Sequence, residues 1–416
     1  MINLSDFCVD VTPPVGVSAG FVKKAERILD PLFARGLILE DEDSRIVIVS
    51  MDYCAIVHSA YEELRESLAK ACDTSVEQVV IHCIHQHDAP LVDFEAVKYL
   101  GGKEEYSWWP EVLEKCSKSA KEALKSFKKV AAIGCASTQV DGFASNRRVA
   151  MPDGSIAVRY SRCGNEEIRS APTGTIDPLL KTIAFKSAAD EILCSMSFYA
   201  THPQVANTGD KFSADAPGEA LRLLKKNKSL NMFFTGCGGN ITAGKYSSLD
   251  PDENLIKFGK KLGDAISRNI SNLDWHKADS FEWDCVSFEF PYSKCDRKEL
   301  LDKIKHNPKD YSSAALLGMM DFGQEQPYKI FRFKADGINI FFLSGELFVE
   351  YQLYINSLYP NGFAAVAANC RDDFFYCPQA VDFENEGGYE TSNFCCTTSE
   401  FEPRFKAAVK NMVEKE

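Results

Sequence analysis

The sequence predicts an α/β fold with mixed parallel and antiparallel sheets and flanking helices, in a single large domain over residues 1–416. Three observations predict it. Apolar, β-branched runs alternate with amphipathic helical runs along the whole chain. Some runs are joined by short polar turns, which makes hairpins, and others by helical crossovers, which makes parallel pairs. No internal repeat, low-complexity stretch or convincing linker divides the chain, and the segment 275–280 is only a weak candidate boundary.

The elements follow in order. RIVIVSM (45–51) reads as a strand, and SAYEELRESLAKAC (59–72) as a helix with Glu62 and Glu63 ahead of Arg65. Val79, Val80 and Ile81 start a buried strand that should stop near Asp88, because Pro90 cannot join a ladder. Residues 109–129 read as a long helix with Pro110 in its first turn, 130–140 as a strand, and 149–160 as a hairpin about Pro152-Asp153-Gly154. LLKTIAFK (179–186) and ILCSMSFYA (192–200) are strands across a polar turn. A helix over 217–228 follows Asp215, LNMFFTG (230–236) is a strand entering a glycine loop, and 253–270 is an amphipathic helix. CVSFEF, KIFRFKA and INIFFLS are later strands, and the chain ends on a helix.

Composition narrows the function. A net charge of −13 disfavours nucleic acid and anionic membrane surfaces as partners. MINLSDFCVDVTPP lacks the basic and apolar regions of a secretion signal, and no apolar run reaches membrane-spanning length. The 15 cysteines are irregularly spaced, without a Cys-x-x-Cys pair. They read as reduced thiols of a cytoplasmic protein, with adjacent Cys395 and Cys396 the one oddity.

Three of only seven histidines crowd into IHCIHQHDAP, as His82, His85 and His87. Strand alternation puts His85 and His87 on one face and His82 on the other. Such a pair serves as metal ligand and base, or is simply a polar strand end. Zinc needs three protein ligands plus water, or four, so more must come from elsewhere. His202 also follows a strand and precedes a proline. Gly236, Gly238 and Gly239 make either an anion-binding loop or a plain turn. Glu346 follows a strand and is either a ligand or a helix cap. Asp52 ends a strand as a supporting carboxylate, and residues 371–391 form an acidic, aromatic loop.

Together these segments resemble the catalytic domain of the neutral/alkaline (non-lysosomal) ceramidase family. CVDVTPPVGVSAGF resembles its Asp-Ile-Thr-Pro-Pro-x-Gly start, and IHQHDAP its Thr-His-Thr-His-Ser-Gly-Pro. ASNRRV, GTIDP, YATHP, SADAPGEA and LSGE resemble further family segments in the same order. The resemblance implies a zinc-dependent amide hydrolase of ceramidase-like fold, with metal-activated water attacking an amide or ester carbonyl. It implies His85, His202, Glu346 and Tyr376 as the Zn2+ ligands and His87 as the acid/base histidine. Arg147 would lie near the substrate's polar head, and Tyr389, or N–H groups near Gly239, would face the scissile group. The expected partner is a small amide or ester, an N-acyl lipid among the options.

Departures qualify the carry-over. Gly239-Asn240-Ile241-Thr242-Ala243 stands where the family has Gly-Asp-Val-Ser-Pro, so Thr242 takes a serine's place as the candidate catalytic hydroxyl and Asn240 replaces an aspartate. The spacing from Tyr376 to Tyr389 is one residue longer than the family's, which leaves Asp373 or Tyr389 as alternative fourth ligands. With the sequence ending at residue 416, the family's C-terminal β-sandwich domain is expected to be absent. A relative that binds zinc or ligand without hydrolysis is the alternative.

Overall fold

The structure is a computed structural model that describes every residue except 21–22, 102–105, 225–228, 294, 324–325, 385–386, 393 and 415–416. Among the described residues three larger sheets share one plan: antiparallel strands closed by one parallel pair.

In the first sheet the order is Lys128–Lys129, Asn3–Asp10, Phe33–Glu40, Arg45–Met51, Val79–Cys83, and helix His58–Ala71 crosses between the last two. In the second it is Leu230–Thr235, Ile192–Tyr199, Leu179–Lys186, Ala132–Gln139, Asp274–Lys277, with helix Asp215–Leu223 crossing between the parallel strands. In the third it is Glu282–Phe288, Tyr328–Ala335, Ile338–Leu343, Phe363–Ala367, with helix Val349–Ser357 as the crossover. An apolar run bounded by polar turns suits a strand buried on both faces.

Side-chain alternation then sorts each strand between two cores. Leu37, Leu39, Ile46, Ile48 and Val80 of the first sheet meet Phe185, Met196 and Phe234 of the second and Phe333, Ile340 and Phe342 of the third. The opposite face of the first sheet, with Ile38, Val47, Val49 and Ile81, packs on helices through Leu64, Leu68 and Ala120. A register slip of one residue in any of these strands would exchange the two cores.

Helix Pro251–Ser271 starts where its chemistry directs, since Asp250 accepts from Asp252 N–H at 2.9 Å and Pro251 fills the first turn. Three boundaries differ from the sequence reading. The helix expected over 109–129 is Trp109–Ala123, and Lys128–Lys129 joins the first sheet as an edge strand. The helix expected from Pro217 starts at Asp215, whose carboxylate accepts from Val205, Ala206 and Ala216 N–H, and residues 225–228 lie outside the described residues. The strand of the histidines ends at Cys83, before His85. The 275–280 segment is no boundary among the described residues: Asp274–Lys277 pairs with Ala132–Cys135 inside the second sheet.

Candidate metal centre

The site lies at the carboxyl ends of the parallel strands, where open α/β sheets present their binding crevices. His202 stands three residues after Ile192–Tyr199, and Glu346 three residues after Ile338–Leu343. His85 stands two residues after Val79–Cys83. Each of the three sheets therefore contributes one side chain.

His85 reaches the site through backbone, not through strand alternation. Its φ is +61°, in the left-handed region, and its N–H donates to Tyr53 O at 3.1 Å. His87 follows, held by the intervening Gln86, whose amide donates to Asp52 O at 2.9 Å and accepts from Asp88 N–H at 2.8 Å. The rings of His85, His87 and His202 form a triangle with centroids 4.8–5.3 Å apart. His82 points away. Thr235 N–H donates to its Nε2 at 3.0 Å, so its Nδ1 donates to Ala368 O at 2.6 Å and ties two sheets together.

Donor atoms of His85, His202 and Glu346 lie within 4.8 Å of one another, all buried. His85 Nε2 is 3.2 Å from Glu346 Oε2, and that carboxylate oxygen has no hydrogen-bond partner. On the other side of the ring, His85 Nδ1 faces Asp372 Oδ2 at 3.5 Å. Burial opposes charge on His85, but the Glu346 and Asp372 carboxylates outweigh it and hold the imidazole's pKa at about 10. The centre is thus a buried place that favours positive charge.

A divalent cation fits this donor set. Two imidazoles and a carboxylate are the nitrogen and oxygen donors of a catalytic zinc site, Glu346 Oε2 accepts no hydrogen bond among the described residues and faces only His85, and Asp372 faces His85 Nδ1, the place from which an outer carboxylate orients a ligating histidine. Cys54, His85 and His87 form a second possible group. Burial lifts the Cys54 thiol well above its ordinary pKa, which makes it a poor ligand.

The remaining candidates are placed as follows. Tyr376 pairs in register with Glu346 in a two-residue parallel bridge, so both side chains leave the same face. It lines the cavity with His85, His87, Glu346 and Tyr389. Buried Arg147 donates from Nη1 to the hydroxyls of Tyr376, at 3.3 Å, and Tyr389, and from Nη2 to His202 Nδ1 at 2.6 Å. Burial, joined by the charges of Arg147, His85 and His87, drives His202 well below its usual pKa, and burial with the charge of His85 drives His87 to about 3.

Thr242 does not line this cavity. It is buried, its hydroxyl accepts from Gly244 N–H at 3.1 Å, and its carbonyl accepts from Ser145 Oγ at 3.0 Å. Asn240 shows why an amide replaces a carboxylate here: Nδ2 donates to Glu350 at 2.9 Å while Oδ1 accepts from Val349 N–H at 2.9 Å. Asp52 also lies off the cavity, paired with Arg35 at 2.6 Å. Asp373 holds His58 N–H at 2.7 Å and the Arg371 guanidinium at 2.6 Å.

The glycine loop works by close approach. A Cβ on Gly238 would sit 2.1 Å from Thr201 O, and one on Gly239 2.3 Å from Glu346 O. These glycines let the loop pack against the backbones that carry His202 and Glu346. Gly239 N–H is spent on Leu347 O at 2.9 Å, so it is no anion donor. Sequence reasoning passed over Asp372, and the paired acids in Arg371-Asp372-Asp373 were its signal.

No family model matches the chain, and no curated protein matches it in sequence. Solved ceramidase structures share its fold. One is the crystal structure of neutral ceramidase from Pseudomonas aeruginosa, with 15% identity, a TM-score of 0.72, and coverage of 100% of this chain and 75% of that one. Another is a ceramidase complexed with C2, with 14% identity, a TM-score of 0.73, and coverage of 99% and 74%. The architecture of this chain is therefore that of the ceramidase structures.

Proposed function

We propose that the chain is a zinc-dependent hydrolase of amides or esters, an N-acyl compound being the substrate class. The convergence of His85, His202 and Glu346 at one buried point, on a ceramidase fold, carries this reading. His85 would bind through Nε2, its Nδ1 facing Asp372, and Glu346 through Oε2. His202 would bind through Nε2, now 3.0 Å from His87 Nε2, once Arg147 Nη2 gives up its 2.6 Å contact to Nδ1 and leaves that nitrogen's proton to Gly238 O at 3.3 Å. Tyr376 would be the fourth ligand. When bound, the cation supplies a water of lowered pKa and polarises the carbonyl.

The chain's own residues do the rest. His87 is neutral at pH 7, because burial opposes its protonation. A neutral imidazole there would accept a hydrogen bond from the attacking water and pass its proton on to the leaving amine without holding it. The Tyr376 and Tyr389 oxygens accept from Arg147, which leaves their O–H protons to aim elsewhere. Tyr389 then donates to the developing oxyanion.

A second reading has one observation in its favour. Arg147 Nη2 occupies the Nδ1 lone pair of His202 at 2.6 Å, which suits a site where the guanidinium supplies the charge and no hydrolysis occurs. Elemental mass spectrometry on protein purified without chelator separates the two. The hydrolase reading expects about one zinc per chain, with cleavage of an amide and ester panel that chelator abolishes and zinc restores. Absence of metal after zinc incubation overturns it.

A further inference from the structure

Two cavities meet at His87, and their chemistry differs. The first, beside His85 and Glu346, measures about 160 Å³. Away from the polar cluster its wall is Ala55, Val57, Leu91, Tyr311, Phe375 and Phe394. Tyr311 donates its hydroxyl to buried Asp93 at 2.8 Å and stacks its ring on Phe394 with centroids 6.0 Å apart. The wall offered to a ligand is thus apolar. A dry cavity of about 150 Å³ with such walls holds benzene, so this one has room for about six carbons.

The second cavity, about 270 Å³ and more open, shares His87 and adds Gly20, Lys23, Arg162, Thr208 and Gly209. Its charges are cationic. Arg162 Nη1 is buried and bonds to nothing. Among the described residues Lys23 Nζ donates to a carbonyl, Thr208 O, at 3.2 Å. Neither cation pairs with a carboxylate among the described residues, although the chain carries a net charge of −13. Two carboxylates stand near the cavity: Asp88 accepts from Thr208 and Gly209 N–H and faces Lys211 at 3.7 Å, and Asp210 accepts from the Thr208 hydroxyl. A buried guanidinium N–H without an acceptor is costly unless a ligand supplies one.

Resting on the hydrolase reading above, we propose that the substrate is a compact N-acyl amino acid, its acyl group in the apolar cavity and its carboxylate on Arg162 and Lys23. The amide then lies at His87. Hydrolysis breaks the C–N bond, the oxygen of water joins the acyl carbon, and its proton goes to the amine. The products are a short or aromatic carboxylic acid and an amino acid.

The test uses full-length, zinc-supplemented protein and three probes: N-benzoylglycine, its neutral counterpart N-benzoylethanolamine, and N-palmitoylglycine. Calorimetry is expected to show N-benzoylglycine binding about a hundredfold tighter than the neutral probe, about tenfold for each of two charge-assisted contacts. Arg162→Gln and Lys23→Met are each expected to reduce that ratio by about tenfold. Cleavage is expected to favour benzoyl over palmitoyl. Equal binding of the charged and neutral probes, binding of neither, or preference for the palmitoyl chain overturns the proposal. Selective binding without cleavage of any probe leaves this ligand assignment standing and sinks the hydrolase reading instead. Cleavage of neutral long-chain amides alone does the reverse.

Discussion

Glu346 and Tyr376 are register partners in a parallel bridge of two residues per strand, thirty positions apart in the chain yet side by side at the cavity. Glu346 N–H donates to Phe375 O at 2.7 Å, which locks the pairing. The bridge makes the carboxylate and the phenol one unit. Glu346→Gln should leave the chain well below one metal equivalent by elemental analysis, because an amide oxygen lacks the charge. Tyr376→Phe should retain metal but weaken its affinity by about tenfold in a chelator competition. Full metal content in Glu346→Gln would remove the carboxylate from the ligand set.

Asp372 faces His85 Nδ1 at 3.5 Å, on the side of the ring away from Glu346. Asp372→Asn should cost about 10–100-fold in metal affinity while the far-ultraviolet circular dichroism stays unchanged. Unaltered affinity would mean that the backbone, through the left-handed turn at His85, orients the ring alone.

Asn240 donates to Glu350 and accepts from Val349 at once. Asn240→Asp keeps the acceptor, loses the donor and places a second carboxylate against Glu350, whose pKa burial already raises. Denaturant unfolding at pH 7 should show a loss of about 1–3 kcal/mol. The deficit should shrink near pH 5, as one of the two carboxylates takes a proton. A variant as stable as the parent at pH 7 would contradict this account.

His58 and Asp373 predict a pH profile. Burial opposes both charges. Even so, the Arg371 guanidinium and His58 hold Asp373 below the usual carboxylate range, and Asp373 holds His58 above its usual value. The lowered carboxylate contributes stability present above its unfolded pKa of about 3.9 and lost as pH falls below it. The raised imidazole contributes stability present below its unfolded pKa of about 6.5 and lost as pH rises through the folded value. Their joint contribution is therefore largest between about pH 4 and 6.5. In denaturant titrations, the difference between parent and His58→Gln should be greatest there and shrink towards pH 9. The acid limb should persist in the variant, because Arg371 still pairs with Asp373 at 2.6 Å. A constant difference from pH 5 to 9 would show that His58 contributes by packing on Phe322 alone.

Much of the fold was legible because burial on both faces demands uninterrupted apolar runs. RIVIVSM and LLKTIAFK coincide with their strands to the residue. Phe33–Glu40 was not read as a strand, since Arg35 and Gly36 interrupt its apolar start. Gly36 is required there by tertiary contact: a Cβ would stand 2.0 Å from the Phe7 ring across the sheet. Helix Tyr311–Phe322 was missed because it is apolar all round, with no amphipathic period to read.

For the site, the sequence by itself determined the donor types and their places. His85 and His202 sit just past apolar strands because a strand end is where a polar side chain leaves the core. What only the tertiary structure decided is convergence. Three sheets, each closed by a parallel pair, bring His85, His202 and Glu346 within 4.8 Å although no two share a local segment. The left-handed turn at His85, the Asp372 carboxylate behind it and the Arg147 contacts to Tyr376 and Tyr389 arise in the same way. Local spacing encodes periodicity and turn chemistry. It carries no information about which strand ends meet, since that depends on how the sheets share their common core.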